Sequence, residues 1–237
     1  MVRAIVAKCA FACIVAALLG ACAPQTQFRS EKLGEGHGGR TVVLMPIDIE
    51  LSEMQAGGML EPKADWTDAG RKFLTEAIDK KLNGQHAKLI VSNPDLVLNE
   101  PQSIEAKLIR LQEAVGTAIM HHKMLVGAEL PTKKNTFDWT LGPEAKALHD
   151  RYGSDYALFI WMRDSYTSAG RAAAIVVAAL MGVHGLQGGT QQGFASLVDL
   201  RTGDVVWFNR MFRQTGDLRN ANAAIGTADV LLEKFPK

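Results

Sequence analysis

Three thiols, six imidazoles and one polar cluster hold the chemical possibilities of this 237-residue chain. The thiols, Cys9, Cys13 and Cys22, all lie near the N-terminus, and Cys22 closes the run Leu19-Gly20-Ala21-Cys22, where small residues precede the sulfur. The imidazoles are His37, His86, His121, His122, His149 and His184. Adjacent residues point about 100° apart on a helix, so His121 and His122 cannot grip one metal as an i, i+4 pair does. No HExxH pattern occurs, and no metal site is expected. The polar cluster is Arg163, Asp164, Ser165, Tyr166, Ser168 and Arg171. At the end of a strand such groups line a binding crevice or solvate the strand exit. A serine nucleophile there would need a base at hydrogen-bond distance, with only His149 and His184 nearby in sequence. Neither a GxSxG elbow nor a Walker loop is present. Gly34, Gly36 and Gly39 spell GxGxxG, but that motif must follow a strand, and here it precedes the first one. The expectation is a non-enzymatic chain with no catalytic residue and no cofactor.

The N-terminal chemistry is different. Arg3 and Lys8 precede an apolar stretch over residues 10–21. A dozen residues fall short of the roughly 20 that a spanning helix needs, which fits a cleaved export signal. An ordinary signal has no need of the cysteine. With its small residues before Cys22, the segment resembles a bacterial lipoprotein signal. That resemblance implies cleavage after residue 21, a diacylglyceryl group on the Cys22 sulfur, and a further acyl chain, palmitate among the candidates, on the new amino group. Two or more such chains hold a protein stably at a membrane. In the enterobacterial sorting pattern, an aspartate after the cysteine retains the protein in the inner membrane. Ala23 stands there, which implies the periplasmic face of the outer membrane, with the inner membrane as the alternative.

Loss of residues 1–21 removes Arg3 and Lys8 and leaves 24 basic against 25 acidic residues, a balance of −1. A near-neutral domain gives no electrostatic case for nucleic acid. The only thiol left is Cys22, so disulfides and thiolate metal sites are excluded from the domain. Residues 22–40 read as a mobile tether, with Pro24, Gln25, Gln27, Ser30 and glycines at Gly34, Gly36, Gly38 and Gly39. As a flexible coil the tether reaches about 25 Å.

Residues 41–237 read as one α/β domain. An apolar, β-branched run over 41–49 is a buried strand, with Pro46 marking a bulge or edge. Trp66, Ala69, Phe73, Ala77, Ile78 and Leu82 fall at helical spacing, with Asp65 as cap and Asn83-Gly84 as stop. A short strand over 87–91 follows, then a helix carrying Ile104, Leu108, Leu111, Val115 and Ile119. Residues 131–139 read as a loop. Pro143 opens a short helix that Gly153 ends. A third strand covers 156–162, strands over 194–200 and 205–212 pair across Arg201-Thr202-Gly203-Asp204, and a helix covers 222–235. The fold expected is a mixed sheet of about five strands with flanking helices, an apolar insertion, a C-terminal hairpin and a last helix.

The insertion, residues 172–183, reads AAAIVVAALMGV and has no charge. Two readings stand. It is a buried helix and loop, or an exposed element that meets a partner, a sister subunit or the lipid surface through Ile175, Val176, Val177, Leu180 and Met181. Residues 196–209 (SLVDLRTGDVVWFN) spell a D-x-x-T-G hairpin that also occurs in propeller blades, but a propeller requires repeats and the unit appears once. Together with the signal cysteine, the tether, the Val43–Pro46 strand and the helix after it, this hairpin resembles small periplasmic lipoprotein domains of the CsgG and LpoB type. The resemblance implies a lipid-anchored binding or assembly factor for another envelope component, through a protein partner or self-association. The alternatives are a subunit of an oligomeric secretion or export assembly, and an envelope hydrolase. The long alternating segments of a CsgG-type channel hairpin are missing.

Overall fold

The computed structural model describes residues 26–28, 41–83, 88–125, 127–133, 136–183, 185–214 and 216–236. The mixed sheet forms, with the C-terminal hairpin and helix in the expected order. Among the described residues it has eight strands rather than about five. The longest is β6 (Tyr156–Thr167), and it organises the others. On one side β6 pairs in parallel with β2 (Thr41–Leu44) and then with β3 (Asp48–Met54). These two strands are the single run expected from 41–49, interrupted at Met45–Ile47 around Pro46, which has no backbone N–H to donate to a ladder. Beyond β3, a hairpin leads into β4 (Leu60–Pro62). β2 also pairs in parallel with β5 (Lys88–Val91). On its other side β6 pairs antiparallel with β7 (Gln191–Asp199), and β7 with β8 (Val205–Arg213). The turn between them holds Gly203 at φ 80°, a backbone conformation that suits glycine.

One strand lies where the sequence suggested a mobile tether. Thr26–Phe28 forms β1 on the outer edge of β8, with Thr26 opposite Asn209 and Phe28 opposite Trp207. An edge strand offers unpaired N–H and C=O groups, and even a short polar segment can satisfy them. The remainder of 22–40 lies outside the described residues.

Side chains alternate across the sheet with period two. Val42, Leu44, Leu158, Ile160 and Leu197 face one core with α1 (Ala64–Asn83) and α6 (Ala221–Leu231). Val43, Met45, Ala157, Phe159 and Phe194 face the other, with α3 (Ile104–Met124) and α4 (Lys146–Tyr152). A short helix, α2 (Asp95–Asn99), precedes α3. α1 buries Gly70, Leu74, Ile78 and Leu82, a stripe turned slightly from the expected one, and Asp65 sits in its first turn rather than at the cap. The Ser103 hydroxyl caps α3 by accepting from the Ala106 N–H. Gly116 of α3 lies so near the sheet that a Cβ there would stand 2.3 Å from the Phe194 ring.

The insertion is α5 (Ala169–Leu180), capped by the Ser168 hydroxyl, which accepts from the Arg171 N–H at 3.1 Å. It joins β6 to β7. The chain leaves the sheet after Thr167 and returns at Gly189, whose N–H donates to the Thr167 hydroxyl at 2.8 Å. No helix among the described residues is long and apolar enough to cross a membrane.

Candidate functional site

Four residues of the polar cluster lie inside β6, not after it, while Ser168 and Arg171 belong to the start of α5. The strand runs to Thr167, so Arg163, Asp164, Ser165 and Tyr166 are ladder residues. Arg163 donates to the Asp48 carboxylate at 2.7 Å and covers the Trp161 ring. The Ser165 hydroxyl donates to the Thr190 carbonyl at 3.2 Å and accepts from the Thr190 N–H at 2.9 Å. His149 lies on α4, just before the start of β6, and its Nδ1 is 2.8 Å from the Ser154 carbonyl oxygen. Ser165 and His149 therefore sit at opposite ends of the strand. His184 lies outside the described residues. Among the described residues no histidine is brought to Ser165, and no group of three His, Cys, Asp or Glu side chains gathers to hold a metal.

Asp164 and Tyr166 instead form a buried network. The Tyr166 hydroxyl donates to Asp164 Oδ2 at 2.6 Å and accepts from the Leu218 N–H at 2.8 Å. Gln191 Nε2 donates to the same carboxylate oxygen. Arg213 donates through Nε to Gln191 Oε1 at 2.7 Å and through Nη2 to the Thr227 hydroxyl. Asp164 is 3% exposed, and burial pushes its carboxyl above the usual range, against the pull of the Tyr166 and Gln191 donors. Burial likewise pushes the Tyr166 phenol up, and the Asp164 charge adds to it. The Tyr166 ring lies edge-on to Trp66 and under the Arg219 guanidinium, 3.9 Å from the ring centre. Arg219 is paired in turn with Asp217. This knot ties α1 and the segment before α6 to the sheet. Sequence reading missed Trp66, Gln191, Arg213 and Arg219 as members, because nothing in their local spacing signals a meeting across the fold.

A groove of about 500 Å³ lies at the ends of β2 and β5, lined among others by Pro46, Ile47, Arg71, Lys72 and Val91. Its chemistry is mixed, and Arg71 is already paired with Asp68 at 2.7 Å.

No protein family is matched by the sequence, and no curated protein matches it. Among solved structures the chain is similar to the PelC dodecamer from Paraburkholderia phytofirmans, at 10% identity and a TM-score of 0.40, over 90% of this chain and 97% of that one. It is similar to lipoprotein GNA1162 from Neisseria meningitidis at 13% identity and a TM-score of 0.32, over 79% and 88% of the two chains. It is also similar to the LpoB C-terminal domain from Salmonella enterica, at 12% and 0.31, over 78% and 89%. These are similarities of general arrangement, and no residue role or activity comes from them.

The structure rules out a buried helix at the insertion. α5 has no buried residue. Arg171, Ala174, Ile175 and Ala178, at i, i+3, i+4 and i+7, form a half-buried inner face. The outward face is Ala173, Val176, Val177 and Leu180, continued by Met181. Val176 is 59% exposed, Leu180 83% and Met181 77%. The base is pinned by Arg171, which donates to the Gln187 carbonyl at 3.0 Å and to the Ala56 carbonyl at 3.3 Å. Of the five contact residues expected from the sequence, Val176, Val177, Leu180 and Met181 are on the surface and Ile175 turns inward. Leaving such a stripe in water forgoes about 25 cal/mol for each Å² of apolar surface that burial would remove.

Proposed function

We propose that the protein is a lipid-anchored, periplasm-facing lipoprotein of the outer membrane whose domain binds another component of the cell envelope. The reading is non-enzymatic. Its anchor is the Cys22 sulfur. The observation that supports the contact is α5, which past Arg171 carries no charge and holds Val176, Val177 and Leu180, with Met181 after them, in the open. Exposed apolar patches on soluble domains mark sites of association.

The test uses the full chain expressed in a Gram-negative host, with a photo-crosslinking amino acid at Leu180. Mass analysis of the mature N-terminal peptide is expected to show an acylated Cys22, and irradiation of intact cells to give a covalent adduct to an envelope protein, to a second copy or to lipid. An unmodified Cys22 overturns the anchor. Irradiation that yields no adduct overturns the contact.

A further inference from the structure

We propose that the component met by α5 is the lipid leaflet itself, and that the domain rests on the membrane at two points, the Cys22 acyl chains and this helix. The proposal deepens the contact reading above and uses its anchor.

The strand directions place the root of α5 at one end of the sheet and aim the start of β1 toward that end. β6 ends at Thr167, opposite Met54 of the parallel strand β3. Asp164 of β6 lies opposite Gln191, and Gln191 opposite Arg213, so β7 begins and β8 ends at this same end. β1 is antiparallel to β8, with Thr26 opposite Asn209 and Phe28 opposite Trp207. Its N-terminus therefore points the same way. Cys22 precedes Thr26 by four residue steps, and at 3.3–3.6 Å per residue these span at most about 14 Å. Asn209 stands four residues before Arg213, the end of β8, so a fully extended leash carries Cys22 to about the level of this end of the domain, where α5 emerges.

Other apolar groups collect there. The β3–β4 hairpin carries Met59, 76% exposed, and Leu60, 54% exposed. Its tip lies against the base of α5, where Arg171 reaches the Ala56 carbonyl. Phe212, near the end of β8, is 53% exposed. Lipid suits the lobe better than a protein groove does. Residues 172–183 carry no charge on any side, whereas a protein interface places a polar rim around its apolar centre. At 12 residues α5 is about 18 Å long, too short to span a bilayer but long enough to lie in the interface. The one cation, Arg171, sits at the base, on the side away from the apolar tip.

The test places a spin label at Leu180→Cys in the full, detergent-extracted chain reconstituted into phosphatidylethanolamine/phosphatidylglycerol vesicles, with a label at Lys146→Cys as the aqueous reference. The expected result is that oxygen reaches the residue 180 label several-fold more readily than a water-soluble nickel chelate does, with the reverse at residue 146. A Val177→Asp variant is expected to abolish that preference. Because residue 177 is 51% exposed, the substitution leaves the core intact, and circular dichroism checks this. Water-like accessibility at residue 180 with an acylated Cys22 overturns the proposal alone. Dipolar broadening between labels of neighbouring copies overturns it in favour of self-association. An unmodified Cys22 with a lipid-immersed label defeats the anchor reading and leaves the helix contact standing.

Discussion

At the scale of residues, the Asp164–Tyr166 pair is the most consequential chemistry in the folded domain. Tyr166→Phe removes the donor to Asp164 and leaves the Leu218 N–H buried without its acceptor. The expected loss is about 1–3 kcal/mol, measured by urea unfolding. Asp164→Asn behaves differently. A carboxyl held above its unfolded pKa contributes stability that is complete below the unfolded value and is lost as pH rises through the folded one. Asp164 is such a group, raised chiefly by burial. The uncharged amide removes that dependence. The variant is therefore expected to gain in melting temperature relative to the parent at pH 8, and the gain is expected to shrink as pH falls to 4. Asp217 has the opposite sign. Its hydrogen bond from Arg219 lowers its pKa, so its contribution is present above the unfolded value and fades in acid.

At the scale of elements, glycine decides one contact. Alanine is ordinarily the better helix former by about 1 kcal/mol, but Gly116→Ala in α3 drives a methyl into the Phe194 ring. Overpacking of this kind costs about 1–3 kcal/mol, so the variant is expected to lose stability or break even in thermal unfolding rather than gain. Leu180→Ala on α5 is expected to change stability by less than about 0.5 kcal/mol, as surface positions do, whereas Leu74→Ala on α1 is expected to cost about 2–5 kcal/mol. The elements with strong periodicity were legible in the sequence: α1, α3, and the β7–β8 hairpin marked by Gly203. β6 runs five residues past the expected end because Arg163, Asp164 and Tyr166 look like solvated loop chemistry, while in the fold they are satisfied by partners far along the chain. β1 and β4 were missed because three-residue strands carry no period. The insertion was legible as helix but not as exposed, since an uncharged run is equally suited to a core.

At the scale of the whole molecule, the proposed leash and the proposed α5 contact are expected to act together. A ten-residue Gly-Ser insert between Gln25 and Thr26 lengthens the leash to about 20 Å of average reach. Alone it is expected to leave the domain at the bilayer, because α5 still holds. Combined with Val177→Asp it is expected to let the domain lift away. Energy transfer from a dye at Lys146→Cys to headgroup-labelled lipid reads both results. The pairing of β1 with β8 has another consequence, for the timing of folding. Thr26 and Asn209 stand about 180 residues apart along the chain yet side by side in the sheet. Contacts between such distant segments form late, after the entropy of closing the loop has been overcome. In a chain exported N-terminus first, the opening segment emerges with no strand to join until nearly all the rest has followed. Under the proposed anchor, acylation of Cys22 takes place on loose polypeptide, and sheet closure comes afterwards, drawing the domain toward the membrane that holds it.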